Sequence, residues 1–303
     1  MGKFGDYIRF DWAMKQMLRD KANFGILEGL ISVLLNEDVK IEEILQSESN
    51  QTSDDDKFNR VDIKAKNSDG HIIIVEVQLT RQLYYLQRIL YGTCKAITEH
   101  IHIGNKYDQV KKVYSISILY CEFGQGDDYV YHGETRFTGI HTGNDLLVNI
   151  KEDGVIVPHL PREVFPEYYL VRVNAYSKIP ETPLDEWMEY LKDGKVKEDT
   201  RTPGLQQVKE KLRLMSMTEE ERRAYDVHMD NIMVQNDVLD TARQEGKDEG
   251  LAEGRAEGLA EGRAEGLSAG RSEQNRVNAK KMLEAGIDPE IIRQVTGLSK
   301  EDL

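Results

Sequence analysis

Residues 60–79 read RVDIKAKNSDGHIIIVEVQL, and the architecture of the surrounding domain follows from them. Two short strand patterns, 60–66 and 71–79, flank Asn67-Ser68-Asp69-Gly70, which is typical turn chemistry of a β-hairpin. The second pattern contains Ile72-Ile73-Ile74-Val75 and is apolar on both faces, as a central strand covered by helices should be. The sequence therefore predicts a hairpin whose second strand is buried inside a layered α/β domain.

The segments on either side of the hairpin complete the α/β pattern. Apolar residues at three-to-four spacing predict a helix over 11–35 with Asp11 as its N-cap, and a strand follows at 41–45. After the hairpin, the sequence predicts a helix over 81–99 and a strand over 113–121. This order of elements predicts a mixed sheet flanked by helices.

Two acidic residues interrupt the apolar hairpin. Glu76 lies in the buried strand, and because an unpaired buried carboxylate is costly, Glu76 requires a metal ion or an ion-pair partner. Asp62 alternates with apolar neighbours in the preceding strand and is the natural second acid. A plain two-residue turn would make Asp62 face Val75, whereas a left-handed Gly70 in a bulged turn would make it face Glu76. The turn sequence suits the bulged form better.

Two facing carboxylates predict a site for a hard cation. Facing side chains lie about 5 Å apart at Cβ, which suits two carboxylates that share one ion. Their oxygens favour Mg²⁺ or Mn²⁺, and such an ion supports phosphodiester hydrolysis by polarising a phosphoryl oxygen and activating a water. Glu28, a carboxylate on an otherwise apolar helix face, is a third candidate for this site. An ordinary glutamate at the edge of the helix is the alternative for Glu28.

Charge limits where nucleic acid could bind. The chain has 303 residues and a formal net charge of -14, which argues against general electrostatic attraction to phosphates. Residues 81–112 are locally basic and directly follow the candidate acids. A helical stripe within them could contact DNA phosphates, although a solvated, partly packed face is equally consistent with the pattern. The stripe comprises Arg81, Tyr84, Tyr85, Arg88, Tyr91 and Lys95.

The remaining composition indicates the cellular compartment. The longest apolar run is far too short to span a membrane, and no secretory signal pattern is present. Cys94 and Cys121 are too few and too far apart for a disulfide framework or a thiolate metal site. We therefore expect a cytoplasmic protein without membrane association.

The C-terminal part differs in composition from the hairpin domain. We predict a catalytic domain over 1–178, a linker with a short helix over 179–204 and a charged helical region over 205–243. In 244–274 a glycine recurs every fourth residue, and seven glycines oppose helix formation by about 7 kcal/mol relative to alanine. We expect this tail to be helical only when packed against another copy and to assemble a homo-oligomer. Residues 275–303 predict two short helices, which could form a helix-turn-helix, but they lack an obvious basic recognition face and favour a small packing or dimerisation unit.

Several motifs, taken in order, resemble one nuclease family. They are Phe10-Asp11-Trp12-Ala13-Met14-Lys15, Ile26-Leu27-Glu28-Gly29, Val61-Asp62-Ile63-Lys64, Ile74-Val75-Glu76-Val77-Gln78 and the segment from Arg88 to Tyr91. Their order and spacing resemble the Rpn family, which comprises recombination-promoting nucleases or transposases with a PD-(D/E)XK core. Thr218-Glu219-Glu220-Glu221-Arg222 and the Glu-Gly repeats are similar to the C-terminal half of that family. The resemblance therefore covers nearly the whole chain.

This resemblance implies a restriction-endonuclease-like fold and Mg²⁺-dependent DNA cleavage that supports recombination or transposon-like activity. The wider superfamily has a lysine two residues after the acid, where this chain has Gln78, as the Rpn family itself usually does. Gln78 can orient a water or substrate but carries no positive charge. Lys64, on the same strand face as Asp62, is a candidate substitute.

Two alternative functions are consistent with the same residues. The missing lysine and the acidic charge balance would suit a DNA-binding or scaffold protein that kept the fold and lost turnover. The same chemistry, controlled by the tail, would suit a nuclease effector in phage defence. A plasmid-nicking assay with and without Mg²⁺ separates the scaffold from the enzyme.

Overall fold

The computed structural model describes residues 7–16, 18, 20–45, 62–101, 107–152, 155–214 and 217–299. Val61, the first residue of one of the family-like motifs, lies outside the described residues. The chain divides into two compact units, Met1–Tyr225 and Asp226–Leu303. The candidate acids and the hairpin belong to the first unit.

The elements follow the order that the sequence predicts, with some changes in their bounds. The strands are β1 (Ile41–Leu45), β2 (Ile63–Asn67), β3 (Ile72–Gln78), β4 (Val113–Leu119), β5 (Val130–Gly133), β6 (Val148–Glu152), β7 (Val155–His159) and β8 (Glu167–Arg172). The helices are α1 (Phe10–Gln16), α2 (Phe24–Leu35), α3 (Tyr85–Glu99), α4 (Pro183–Asp193), α5 (Leu205–Lys211), α6 (Glu219–Glu284) and α7 (Pro289–Thr296).

The main sheet has six strands in the order β1-β2-β3-β4-β8-β5. Strands β1, β2 and β3 pair antiparallel, whereas β3, β4 and β8 pair parallel, and β5 is antiparallel to β8. Strands β6 and β7 form a separate two-stranded sheet. The predicted mixed sheet flanked by helices is therefore confirmed, and the acid-bearing strand β3 is one of its inner strands.

The turn between β2 and β3 has the bulged form that the sequence predicts. Gly70 has a φ of 79°, in the left-handed region that favours glycine. Its N–H donates to the Asn67 carbonyl at 2.9 Å, and the Asn67 N–H donates to the His71 carbonyl at 3.1 Å. The register that results pairs Ile63 with Val75. A plain two-residue turn would shift this register by one residue.

Helix α3 covers the face of the sheet on which Glu76 lies. Ile72 and Ile74 of β3 form a buried cluster with Ala96 of α3 and Val113 of β4. Because strand side chains alternate between faces, Glu76 and Gln78 share the face of these isoleucines. Each buried isoleucine contributes about 1.5–3 kcal/mol relative to an exposed one, and this burial fixes α3 on the sheet.

The helix predicted over 11–35 is two helices, α1 and α2. The Asp20 side chain accepts a hydrogen bond from the Ala22 N–H at 2.9 Å and starts a short 3-10 turn before α2. Helix α2 ends at Asn36, whose φ of 55° is left-handed. Asp11 lies inside α1 and is not its N-cap; its carboxylate is buried and pairs with Arg9 Nε at 2.9 Å.

Segment 179–204, which we predicted to be a linker, packs into the core of the first unit through α4. Trp187 and Tyr190 are buried, and both rings contact the Phe10 ring edge to face. Trp187 Nε1 donates to the Pro203 carbonyl at 3.1 Å, and the Tyr190 hydroxyl donates to the Ile8 carbonyl at 2.8 Å. These contacts join the segment to the N-terminus of the chain.

Helix α6 continues without a break through the glycine repeat. Its first turn is capped reciprocally, since Glu221 N–H donates to Thr218 Oγ1 and Thr218 N–H donates to the Glu221 carboxylate. Propagation from a formed turn is cheaper than nucleation, which lets the helix extend through poor helix formers. The expected dependence of helicity on another copy is not met, because the helix is complete in one chain. Neither α6 nor any other described helix has the length and apolar character of a membrane span.

The second unit ends in α7, which packs against the last turns of α6. The Asp288 side chain caps α7 by accepting from the Glu290 N–H at 2.8 Å. Asn275 Nδ2 donates to the Thr296 carbonyl at 2.8 Å, and Ala279 and Ile292 are buried. These contacts make the end of α6 and α7 a small helical pair.

Asp185 joins the start of α4 to the edge of the sheet. One carboxylate oxygen accepts from the Thr182 N–H at 3.0 Å and from its hydroxyl at 2.7 Å. The other oxygen accepts from the Tyr129 hydroxyl at 2.7 Å. Burial alone would raise the pKa of Asp185, but these hydrogen bonds outweigh it and the pKa is lowered. The ionised form is therefore the one that stabilises the fold.

We predict that Asp185→Asn lowers the free energy of unfolding by about 1.5–3 kcal/mol at neutral pH, because charge-assisted hydrogen bonds are lost. Because the pKa of Asp185 is lowered in the folded protein, its carboxylate stabilises the fold fully at pH values above the unfolded-state pKa of about 3.9. This stabilisation is lost as the pH falls through the pKa of the folded state. Urea unfolding at several pH values should therefore show that the difference in free energy of unfolding between Asp185→Asn and wild type becomes smaller in acid.

The matched control is Asp193→Asn, the same change at an exposed residue at the other end of α4, which should alter the free energy of unfolding by less than about 0.5 kcal/mol. A loss for Asp185→Asn that is equally large in acid and at neutral pH would contradict the assignment of the effect to the ionised carboxylate.

Candidate active site

Asp62 and Glu76 lie opposite each other where β2 begins and β3 approaches its end. Continuing the register one pair beyond Ile63 and Val75 places Asp62 against Glu76, so the predicted register is confirmed. Asp62 Oδ2 accepts a hydrogen bond from the Val77 N–H at 2.7 Å, which anchors this carboxylate to β3. The two predicted acids therefore come together at one edge of the hairpin.

The Glu76 carboxylate is buried, with a relative exposure of 5%. Burial raises the pKa of Glu76; the positive charge of Arg88 opposes this rise, and the negative charge of Asp62 adds to it. A nearby negative charge disfavours the ionised form of a buried carboxylate. The site is therefore one that a cation would stabilise.

Two residues from the first turn of α3 contact Glu76. The Tyr85 hydroxyl donates to Glu76 Oε2 at 3.3 Å, and Arg88 Nη2 lies 3.4 Å from the same oxygen. Arg88 Nη1 lies 3.4 Å from Gln78 Oε1 and 2.9 Å from Gln82 Oε1. The guanidinium carbon lies 5.7 Å from the centre of the Tyr85 ring. Arg88 thus joins the acid cluster to the helix.

Contacts of Tyr85 and Arg88 with the acids were not predicted from the sequence. Both belong to the stripe that we predicted to contact DNA phosphates, yet Tyr85 is buried and its ring packs against Phe123 at 5.6 Å. The four-residue spacing of Tyr85 and Ile89 could have predicted that this face of the helix is buried. In the structure, these two residues form a buried cluster with Leu119. That face directs Arg88 toward the sheet.

Gln78 is buried beside Glu76 on the same face of β3. Its Nε2 donates to the Thr80 carbonyl at 2.5 Å, and its Oε1 faces Arg88. The side chain is therefore held in one orientation by a contact at each end. Because Gln78 is neutral, the positive charge next to its side chain is that of Arg88.

Lys64 shares the strand face of Asp62, but its ammonium group pairs elsewhere. Lys64 Nζ lies 2.7 Å from Glu99 Oε2 at the C-terminal end of α3, whereas Tyr85 at the N-terminal end of the helix contacts Glu76. The structure therefore brings the Lys64 side chain to Glu99 and does not bring its charge to the two acids.

Glu28 is also held away from the two acids. Its Oε1 accepts from the Ile41 N–H at 2.8 Å, and its Oε2 lies 3.6 Å from Lys40 Nζ. Ile41 pairs with Asn67 beside the hairpin turn, which is the opposite end of the hairpin from Asp62. Glu28 therefore joins α2 to the start of β1.

The remaining residues of the predicted DNA-contacting stripe lie just before α3 or along it. Arg81 is exposed, and Tyr84, with 74% of its surface exposed, precedes the helix. Tyr91 is partly exposed and Lys95 is half-buried further along it. The stripe thus divides into Tyr85 and Arg88, which face the acids, and residues that reach solvent.

Glu76 differs from the other buried glutamate of the sheet, Glu167 of β8. Glu167 accepts hydrogen bonds from Lys112 at 2.5 Å, His132 at 2.8 Å and Tyr169 at 3.2 Å. Burial would raise the pKa of Glu167, but these donors outweigh it and lower the pKa. The contacts of Glu76 are longer and its pKa is raised. The ionised form of Glu167 is therefore stabilised by its hydrogen-bond donors within the fold, whereas the ionised form of Glu76 would be stabilised further by an added cation.

Asp62 and Glu76 fit a cation that is held partly by its substrate. Within the part of the chain that the structure describes, no three His, Cys, Asp or Glu side chains come together as metal ligands. Mg²⁺ is commonly held by one or two carboxylates, with water and phosphate oxygens completing its shell. Two acids, one of them buried and short of positive charge, match that kind of site and not a closed cage of protein ligands.

Two family models match the chain. The model described as "PD-(D/E)XK nuclease family transposase" matches residues 8–152, which include the hairpin, both acids and α3. The model described as "Rpn/YhgA-like nuclease family, C-terminal HTH domain" matches residues 279–303. This second match corrects our interpretation of the terminal helices as only a packing unit. No curated protein and no solved structure gives a significant match.

The first match covers the N-terminal motifs that resemble the family, whereas the second lies beyond the C-terminal motifs at 218–222 and in the glycine repeat. The mixed sheet, its flanking helices and the position of the first match identify the fold as restriction-endonuclease-like. The long helix α6 and the terminal helix-turn-helix region form the C-terminal extension. The chain therefore belongs to the Rpn family, whose catalytic domain is a PD-(D/E)XK nuclease domain of the transposase type.

Proposed function

We propose that this protein is a Mg²⁺-dependent DNA endonuclease in which Asp62 and Glu76 hold the cation. The observation that carries the proposal is the facing pair of Asp62 and buried Glu76 within the matched nuclease region. Mn²⁺ has the same ligand preference and would also serve. The description of the matched domain as a transposase supports a role in recombination over a role in phage defence. We propose the cytoplasm as the compartment of this activity.

The residues around the acids suit phosphodiester hydrolysis. When bound, the cation would polarise a phosphoryl oxygen and lower the pKa of a coordinated water. Asp62 is oriented by the Val77 N–H, and Gln78 is oriented by its contacts with Thr80 and Arg88. Gln78 can therefore orient a water or a phosphate oxygen by hydrogen bonding.

DNA binding would be local, because the chain as a whole is acidic. Arg81, Tyr84, Tyr91 and Lys95 lie on or next to α3, the helix that supplies Arg88 to the acids, and are of the types that position DNA phosphates. The helix-turn-helix match at 279–303 supports a second DNA contact in the other unit. Together they would let a protein of net charge -14 bind DNA at limited surfaces.

We predict that Asp62→Ala and Glu76→Ala each reduce Mg²⁺-dependent plasmid nicking by at least about 100-fold, because each removes charge stabilisation at the reacting phosphate. Thermal unfolding should show that both variants remain folded. Glu42→Ala, at an exposed position in β1, is the matched control and should nick like wild type.

Nicking that survives in both variants would exclude these residues as the metal site. If the wild-type protein binds DNA but does not nick it with either Mg²⁺ or Mn²⁺, the scaffold alternative replaces the nuclease.

A second prediction concerns the exposed basic residue before α3. In the Asp62→Ala background, which prevents cleavage, Arg81→Ala should reduce the slope of log binding constant against log salt by about one unit. Arg136→Ala, at another exposed arginine of the first unit, should leave the slope unchanged. An unaltered slope for Arg81→Ala would remove this residue from the DNA interface.

We further propose that the glycine repeat of α6 joins copies of the chain into a homo-oligomer. A side chain added at any glycine of the repeat, from Gly246 to Gly270, would meet nothing within 4 Å in the single chain. Leu251, Leu259 and Leu267 recur every eight residues along the repeat and are exposed. Open glycines beside exposed leucines would suit close packing against another helix.

Truncation after Ala242 should lower the oligomeric state measured by light scattering. A finer test is Gly254→Leu with Gly258→Leu, which should block close helix approach, compared with Ala252→Leu and Ala256→Leu on another row of the same helix. The glycine variant should dissociate and the alanine variant should remain assembled. Identical oligomeric states for truncated and full-length protein would leave the repeat as a spacer.

A further inference from the structure

Arg88 supplies the only positive charge that contacts Glu76 among the described hydrogen bonds and ion pairs. Its Nη2 lies 3.4 Å from Glu76 Oε2, on the carboxylate that the proposed function assigns to the cation. Lys64 cannot share this task, because its ammonium is 2.7 Å from Glu99 at the other end of α3. Gln78 is neutral. The positive charge that contacts Glu76 therefore comes from a helix and not from the strand.

We propose that Arg88 occupies the place of the cation in the metal-free site and, when a divalent ion binds Glu76, turns its guanidinium to the substrate phosphate. This inference rests on the proposed function of Asp62 and Glu76. It assigns Arg88 two successive partners, first the carboxylate and then the phosphate.

The contacts of Arg88 support a side chain that can exchange partners. Its shortest hydrogen bond, 2.9 Å, is to the exposed Gln82, whereas its contacts with Glu76 and Gln78 are both 3.4 Å. The bond to Gln82 and the face of the Tyr85 ring would retain the guanidinium when Glu76 is taken by a metal. Release from Glu76 therefore leaves Arg88 tethered near the acids.

The chemistry of the guanidinium suits the second partner. A divalent ion on Asp62 and Glu76 would neutralise the carboxylates and repel the guanidinium. A phosphate held by the same ion presents oxygens that a planar guanidinium can bind in a bidentate manner. Arg88 would then stabilise charge that develops on the phosphate, which Gln78 cannot do.

The test measures metal binding without DNA. Calorimetric titration of full-length protein with Mn²⁺ at pH 8 should give about tenfold tighter binding for Arg88→Gln than for wild type, because a competing charge is removed. Plasmid nicking by the same variant should fall by about 100-fold although its metal site fills more readily. A residue that only supports the fold would weaken both.

Arg88→Lys keeps the competing charge and loses the planar fork. Its Mn²⁺ affinity should stay within about threefold of wild type while nicking falls about tenfold. Lys66→Gln removes one positive charge from β2, where Lys66 pairs with Glu42 and Glu43, and should change neither quantity. If Arg88→Gln does not fold, the Mn²⁺ affinity and the nicking activity of Arg88→Lys still test the inference.

The outcomes separate this inference from the function beneath it. If wild type binds no Mn²⁺, the metal site and this inference both fail. If wild type binds Mn²⁺ and Arg88→Gln binds it no more tightly, Arg88 does not hold the place of the ion, and the inference alone is overturned. The inference is also overturned if Arg88→Lys binds Mn²⁺ about tenfold more tightly than wild type. It is likewise overturned if Arg88→Lys nicks plasmid DNA like wild type.

Discussion

The structure of the site depends on one constraint, a carboxylate placed in an apolar inner strand. Glu76 cannot stay ionised in that setting without nearby positive charge, since desolvation of a charge is costly. The bulged turn at Gly70 brings Asp62 to it, and the docking of α3 brings Tyr85 and Arg88. Both the hairpin register and the helix position therefore converge on the Glu76 carboxylate.

The register shows how a single turn residue determines the chemistry. A shift by one residue would move Asp62 to the opposite face of the sheet, away from Glu76 and α3. Gly70 prevents this because it adopts the left-handed conformation that the bulged turn requires. The Asn67 side chain reinforces the turn by accepting from the N–H groups of Asp69 and His71. Turn chemistry far along the strand thus controls which acids meet.

The features that could be predicted from sequence are those with local causes. The hairpin, its register and the mixed sheet follow from turn residues and apolar periodicity between neighbours. Glu28 could not be assigned this way, because an acid on an apolar helix face looks the same whether it binds an ion or the Ile41 N–H. Trp187 lies in a proline-containing segment that resembles a linker, and its burial depends on Phe10, far away in sequence.

The positive charge at Glu76 comes from α3 and not from a lysine on the strand, so the site depends on the position of that helix. A lysine at position 78 would be held by the rigid strand itself, whereas Arg88 reaches Glu76 only while the first turn of α3 is docked. That docking relies on Tyr85, Ile89 and Leu119, which form one buried cluster. The residues before this turn, including Tyr84, are exposed and stand next to it. Contacts made by DNA there would therefore act directly on the element that carries the charge.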